Sequence, residues 1–122
     1  MGSVALVVDD DPSILNVTER MLSALGWGAL KANNPHVALE LAKAHCGKIR
    51  LLITDVMMPD MDGIALSQAF AAENPSAGIV FMSGVRNPLL DKKQNAPQRA
   101  LFLPKPFSYV EFEDVLRKLF AE

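Results

Sequence analysis

The stretch Val4-Ala5-Leu6-Val7-Val8-Asp9-Asp10-Asp11-Pro12 decides how the chain is read. Five consecutive apolar residues, three of them valine, are the pattern of a strand buried on both faces, as in a parallel sheet. Asp11-Pro12 is a helix-start signal: Asp is a good N-cap, and Pro suits the first helical position because its missing N–H would be unpaired there anyway. Ile14, Thr18, Met21, Leu22 and Leu25 then recur at helical spacing, and Gly26 marks a stop. A buried strand running into an amphipathic helix is half of a βαβ unit.

The same unit repeats outward. Trp27 to Ala32 reads as a second strand, Asn34-Pro35 as a second cap, and Ala38, Leu41, Ala42 and His45 as one face of a second helix that Gly47 ends. Leu51 to Thr54 is a third strand. Met58 to Gly63 is a loop, with Asp62 as N-cap of a third helix that turns Leu66, Ala69 and Phe70 inward and breaks at Asn74-Pro75. Ile79 to Met82 is a fourth strand. Residues 85–98 are assigned one short helix, the fourth. Ala100 to Leu103 is a fifth strand, and Ser108 with Glu111 forms a capping box before the last helix, faced by Phe112, Val115, Leu116 and Leu119. Five strands alternating with five helices predict an α/β fold: a flavodoxin-like (βα)5 three-layer sandwich on a five-stranded parallel sheet of order 2-1-3-4-5.

Composition sets bounds on function. The 122 residues are expected to form a single domain, residues 1–122, large enough to bury a core without disulfides. Twelve basic and fourteen acidic side chains give a net charge of -2, which argues against direct nucleic-acid binding. One cysteine, Cys46, excludes a disulfide framework and a zinc cluster. His36 and His45 lack metal spacing and read as surface or packing residues. No apolar run is long enough to span a bilayer and no secretory signal is visible, so no membrane insertion and a cytoplasmic location are expected.

The polar residues concentrate at one rim. In a sheet of this kind, ligands bind outside the carboxyl ends of the strands. Strand one ends into Asp9, Asp10 and Asp11, strand three into Asp55, strand four into Ser83, and strand five into Lys105. Clustered carboxylates raise one another's pKa unless a cation intervenes. Magnesium suits such a set, held by one or two carboxylates together with a phosphate. Lys105 is a point charge for a phosphate oxygen, the Ser83 hydroxyl can donate to another, and Asp55 can attack phosphorus to form an aspartyl-phosphate.

Val7 to Pro12, Asp55-Val56-Met57-Met58-Pro59-Asp60-Met61-Asp62-Gly63, Met82-Ser83-Gly84 and Leu103-Pro104-Lys105-Pro106-Phe107 together resemble the receiver domain of two-component response regulators over essentially the whole chain. The resemblance implies magnesium-dependent phosphoryl transfer from a histidine-kinase phosphohistidine, or from a phosphotransfer protein, to Asp55. It implies Asp9, Asp10, Asp55 and the Met57 backbone carbonyl as the metal set, with Asp10 the more direct ligand and Asp9 acting largely through water. Ser83 and Phe102 resemble the switch pair, although a strand aromatic such as Phe102 is also an ordinary core residue. Lys105-Pro106 is expected to be cis. The output surface would comprise the fourth helix, fifth strand and fifth helix, engaging a downstream domain or protein, or a second copy in a phosphorylation-dependent homodimer. The domain would catalyse its own phosphorylation and dephosphorylation without being a turnover enzyme.

The chain departs from the family pattern in two places. Ala96 to Ala100 replaces a usual Gly-Ala pair, and Met57 and Val85 are apolar at the positions that tune dephosphorylation, which predicts slow loss of the phosphoryl group. Three other readings compete. A phosphorylation-independent interaction module on the same fold would have a damaged acid–lysine set. A hydrolase with an aspartyl-phosphate intermediate would want an acid at 57. Flavin binding would want a phosphate-cradling loop where three aspartates stand.

Overall fold

The computed structural model describes residues 3–58, 62–83 and 100–120, with Ser83 described by its backbone. The strands are β1 (Val4–Val8), β2 (Gly28–Ala32), β3 (Ile49–Asp55), β4 (Gly78–Ser83) and β5 (Ala100–Pro104). The helices are α1 (Pro12–Ala24), α2 (Pro35–Ala44), α3 (Gly63–Glu73) and α4 (Tyr109–Phe120). All strand pairs are parallel and the order is β2-β1-β3-β4-β5, the order the sequence predicts. The fourth expected helix, within 85–98, lies outside the described residues, so the last helix is α4.

Alternation along the strands divides the core in two. Leu6, Val8, Leu52, Ile79 and Phe81 point to one face, where Ala38 and Ala42 of α2 and Leu66 and Phe70 of α3 cover them. Ala5, Val7, Leu51, Ile53, Val80 and Met82 point to the other, under Leu15 and Leu22 of α1 and Phe112 and Leu116 of α4. The strands read as continuous apolar runs because both faces are covered. The result is a three-layer sandwich.

Local signals fall where the sequence puts them. The side chains of Asp11, Asn34 and Asp62 accept from the backbone N–H groups of Ser13, Val37 and Ala65 and so start α1, α2 and α3. Ser108 and Glu111 exchange reciprocal bonds ahead of α4. Gly26 and Gly47 carry positive φ just beyond the ends of α1 and α2, a conformation that costs glycine little.

Two details differ. Trp27 precedes β2 instead of joining it, because its backbone N–H closes the end of α1 on the Leu22 carbonyl at 2.9 Å, and its ring packs on Phe120 at 5.3 Å between centroids. On α3 the buried stripe is Gly63, Ile64, Leu66, Ser67 and Phe70, while Ala69 is exposed. A buried serine is tolerated there because its hydroxyl donates to the Ile64 carbonyl at 2.7 Å.

Candidate functional site

Parallel register builds the site. Val8 pairs with Thr54, Thr54 with Phe81, and Phe81 with Phe102, so four strands run in step toward one rim. One residue further on stand Asp9 after β1 and Asp55 at the end of β3. Beyond them, the Ser83 backbone at the end of β4 is in register with Pro104, and Lys105 follows β5.

Asp9 is completely buried. Its Oδ2 accepts from Lys105 Nζ at 2.7 Å, and its Oδ1 accepts from the Asp11 backbone N–H at 2.9 Å. Burial pushes the Asp9 carboxyl above the usual carboxylate range, against the pull of the Lys105 and Asp11 hydrogen bonds. Lys105 also reaches Asp55 Oδ2 at 3.4 Å. Burial alone would lower the Lys105 ammonium, but the bond and charge of Asp9, with Asp55 behind them, outweigh it and hold the group above the ordinary lysine value. Lys105 is thus a charged donor anchored mainly on Asp9.

Asp10 is exposed at the mouth of the site. One carboxylate oxygen from each of Asp9, Asp10 and Asp55 lies within 4.8 Å of the others. This donor set is all oxygen, anionic and open on the Asp10 side, which fits a hard divalent cation. Asp55 Oδ1 accepts from the Met57 N–H at 3.3 Å, and the Met57 side chain is 60% exposed.

The Asp55 main chain is also held. The fully buried Thr54 donates its hydroxyl to the Asp55 carbonyl at 2.9 Å, Val56 N–H donates to the Met82 carbonyl at 3.1 Å, and Gly63 N–H donates to the Val56 carbonyl at 2.7 Å. Neither the Thr54 hydroxyl nor the Asp11 amide stands out in the sequence as a site group. Thr54 looks like one more β-branched strand residue, and an amide carries no sequence signal. Gly63 does leave a trace: a residue with no Cβ permits close approach of another stretch of backbone.

The structure therefore brings together Asp9, Asp10, Asp55, Lys105 and the Met57 backbone. Phe102 stands apart from them, 41% exposed on β5. The Ser83 side chain, Val85 and residues 96–99 of the unusual segment lie outside the described residues. The Lys105-Pro106 bond is cis, as the resemblance implies.

A family model described as the response regulator receiver domain matches residues 5–117. The chain belongs to the response regulator receiver family. This receiver is 28% identical over 114 residues to the response regulator receiver protein CpdR of Brucella abortus, the match covering 93% of each chain. It is 26% identical over 118 residues to the sensor kinase CckA of the same organism, covering 97% of the receiver but only 12% of that kinase. The crystal structure of the receiver domain from a hybrid histidine kinase CckA superposes with a TM-score of 0.82 at 28% identity, covering 98% of this chain and all of the other. The receiver thus spans nearly the whole of one relative and about an eighth of another. Among the described residues, no helix is long and apolar enough to cross a membrane.

Proposed function

We propose that this receiver is a phosphoacceptor in a cytoplasmic two-component phosphorelay, with Asp55 as the acceptor. The observation that carries the reading is the convergence of three carboxylates, within 4.8 Å of one another, on a lysine that bonds two of them.

An Asp55 carboxylate oxygen attacks the phosphorus of a phosphohistidine on a histidine kinase or phosphotransfer protein. The O–P bond forms, the N–P bond breaks, and the electron pair stays on the donor's imidazole nitrogen. Lys105 gives up part of its bond to Asp9 and donates to a phosphoryl oxygen, and the Ser83 hydroxyl donates to another. Asp10, Asp55 and the Met57 carbonyl are the groups that would hold magnesium, with Asp9 behind them. Bound there, the cation would supply positive charge against the equatorial phosphoryl oxygens. The inward pull on Lys105 and Ser83 biases a two-state equilibrium that includes Phe102. The output surface comprises β5, α4 and the helix expected within 85–98, and it engages a downstream domain, another protein or a second copy of the receiver.

The test is intact-protein mass after incubation with acetyl phosphate and magnesium. One labile phosphoryl adduct is expected, absent with a chelator and absent in Asp55→Ala. An adduct that persists in Asp55→Ala overturns the reading.

A further inference from the structure

We infer that Thr54 and Gly63 are positioning residues that clamp the Asp55–Val56 peptide and thereby aim the phosphoacceptor carboxylate. The inference rests on the phosphoacceptor reading of Asp55 and adds how that residue is held.

The clamp has two jaws on one carbonyl. From the strand side, the buried Thr54 hydroxyl donates to the Asp55 carbonyl oxygen at 2.9 Å. From the helix side, the first residue of α3 lies so close that a methyl group on Gly63 would overlap the Asp55 carbonyl oxygen and sit 3.0 Å from Val56 Cα and 3.1 Å from the Asp55 carbonyl carbon. These neighbours are backbone atoms at the end of β3 and in the residue after it, so they cannot swing aside as a flexible side chain would. Gly63 N–H donates to the Val56 carbonyl at 2.7 Å, and Val56 N–H donates to the Met82 carbonyl at 3.1 Å. The Asp55–Val56 peptide is therefore bonded across to β4 through its N–H, and the next peptide, Val56–Met57, is bonded to α3 through its carbonyl.

Fixing this peptide fixes the reactive atoms on either side of it. The Asp55 carboxylate hangs from the clamped residue and accepts from Met57 N–H at 3.3 Å, so the direction of residues 55 to 57 is set as one unit. A catalytic group displaced by about 1 Å loses on the order of a hundredfold in rate. Supporting partners of ligating groups typically carry about ten- to a hundredfold in affinity. A side chain at 63 pushes the unit from behind, and loss of the Thr54 hydroxyl releases it on the strand side.

The experiment compares wild type with Gly63→Ala, Thr54→Val and Thr54→Ser. Two readouts are taken well below each variant's melting temperature: the dissociation constant for magnesium alone, by calorimetry, and the rate of adduct formation with acetyl phosphate. Gly63→Ala is expected to weaken magnesium binding about tenfold or more and to slow the adduct comparably. Thr54→Val, which keeps size and shape, is expected to lose about threefold to tenfold in both, and Thr54→Ser to recover most of the loss. If Gly63→Ala does not fold, the Thr54 pair decides. Lowered melting temperatures with unchanged magnesium affinity and unchanged adduct rate would overturn the inference, leaving Thr54 and Gly63 as packing residues. A wild type that neither binds magnesium nor takes the phosphoryl group would overturn the phosphoacceptor reading itself, and the clamp with it.

Discussion

At the carboxyl end of the sheet, Asp9, Asp10, Asp55 and Lys105 crowd together, and a buried carboxylate is balanced by one lysine. At the amino end, the Arg50 guanidinium lies 5.8 Å from the Trp27 ring centroid and 5.1 Å from that of Phe120, while Asn74 accepts from the N–H groups of Gly47 and Ile49. The same five strands feed both ends. The amino end is closed by ring packing and by side chains that satisfy backbone donors, which is chemistry that favours folding. The carboxyl end holds like charges close together, which opposes folding until a cation offsets them. On the proposed reading, the amino end supplies stability and the carboxyl end supplies reactivity.

The strongest challenge to that division is Lys105→Met. It should slow adduct formation from acetyl phosphate by about a hundredfold to a thousandfold, since the charged donor proposed for the transferring oxygens is removed. A variant within a few-fold of wild type would mean that Lys105 serves only to neutralise Asp9.

Trp27→Ala probes the other end. It should cost about 2–3 kcal/mol in urea unfolding, because Phe120 and Arg50 lose their shared ring, and leave the adduct rate unchanged. A large fall in rate would show the two ends to be coupled.

Asp9→Asn should move stability in the opposite direction. The Asp9 carboxyl titrates above its unfolded value of 3.8 because it is buried. Its contribution is fully present below pH 3.8 and is lost as pH rises through the raised folded value, so at neutral pH its ionisation opposes folding. The cation-free Asn variant should therefore melt higher than wild type at pH 7, with the gain vanishing in acid. Lys105 is also held above its ordinary 10.5, so its contribution persists through neutral pH and is lost only in alkali. A lower melting temperature for Asp9→Asn at pH 7 would show that the bond to Lys105 outweighs burial.

The smallest effect concerns Met57, whose exposed thioether cannot orient a water by hydrogen bonding as an amide can. Met57→Asn should shorten the lifetime of the phosphoryl adduct a few-fold, about 1 kcal/mol on the barrier. An unchanged lifetime, followed by the decay of the mass adduct, would remove position 57 from that role.

Much of this contrast is legible in the sequence alone. Caps and stops are local, so Asp11, Asn34, Asp62, Ser108 with Glu111, Gly26 and Gly47 declare themselves within a few residues. The rim residues are legible because strand ends in a parallel sheet share one edge. Less local features are hidden. The Lys105–Asp9 bond joins residues 96 apart and depends on strand register. The Thr54 hydroxyl matters only because of the backbone it meets. The helical period allows Ala69 or Ser67 to face the sheet, and packing of Ile64 and Phe70 chooses Ser67. Trp27 continues the strand pattern in sequence, but its backbone N–H is taken by the Leu22 carbonyl at the end of α1.

On the proposed reading, the carboxyl end directs phosphoryl transfer to one residue, Asp55. Peptide mapping of the acetyl-phosphate adduct tests it most directly. A single phosphoryl group is expected on the peptide that carries Asp55, and no adduct anywhere in Asp55→Asn. A phosphoryl group on another side chain, or an equal yield from Asp55→Asn, would contradict it.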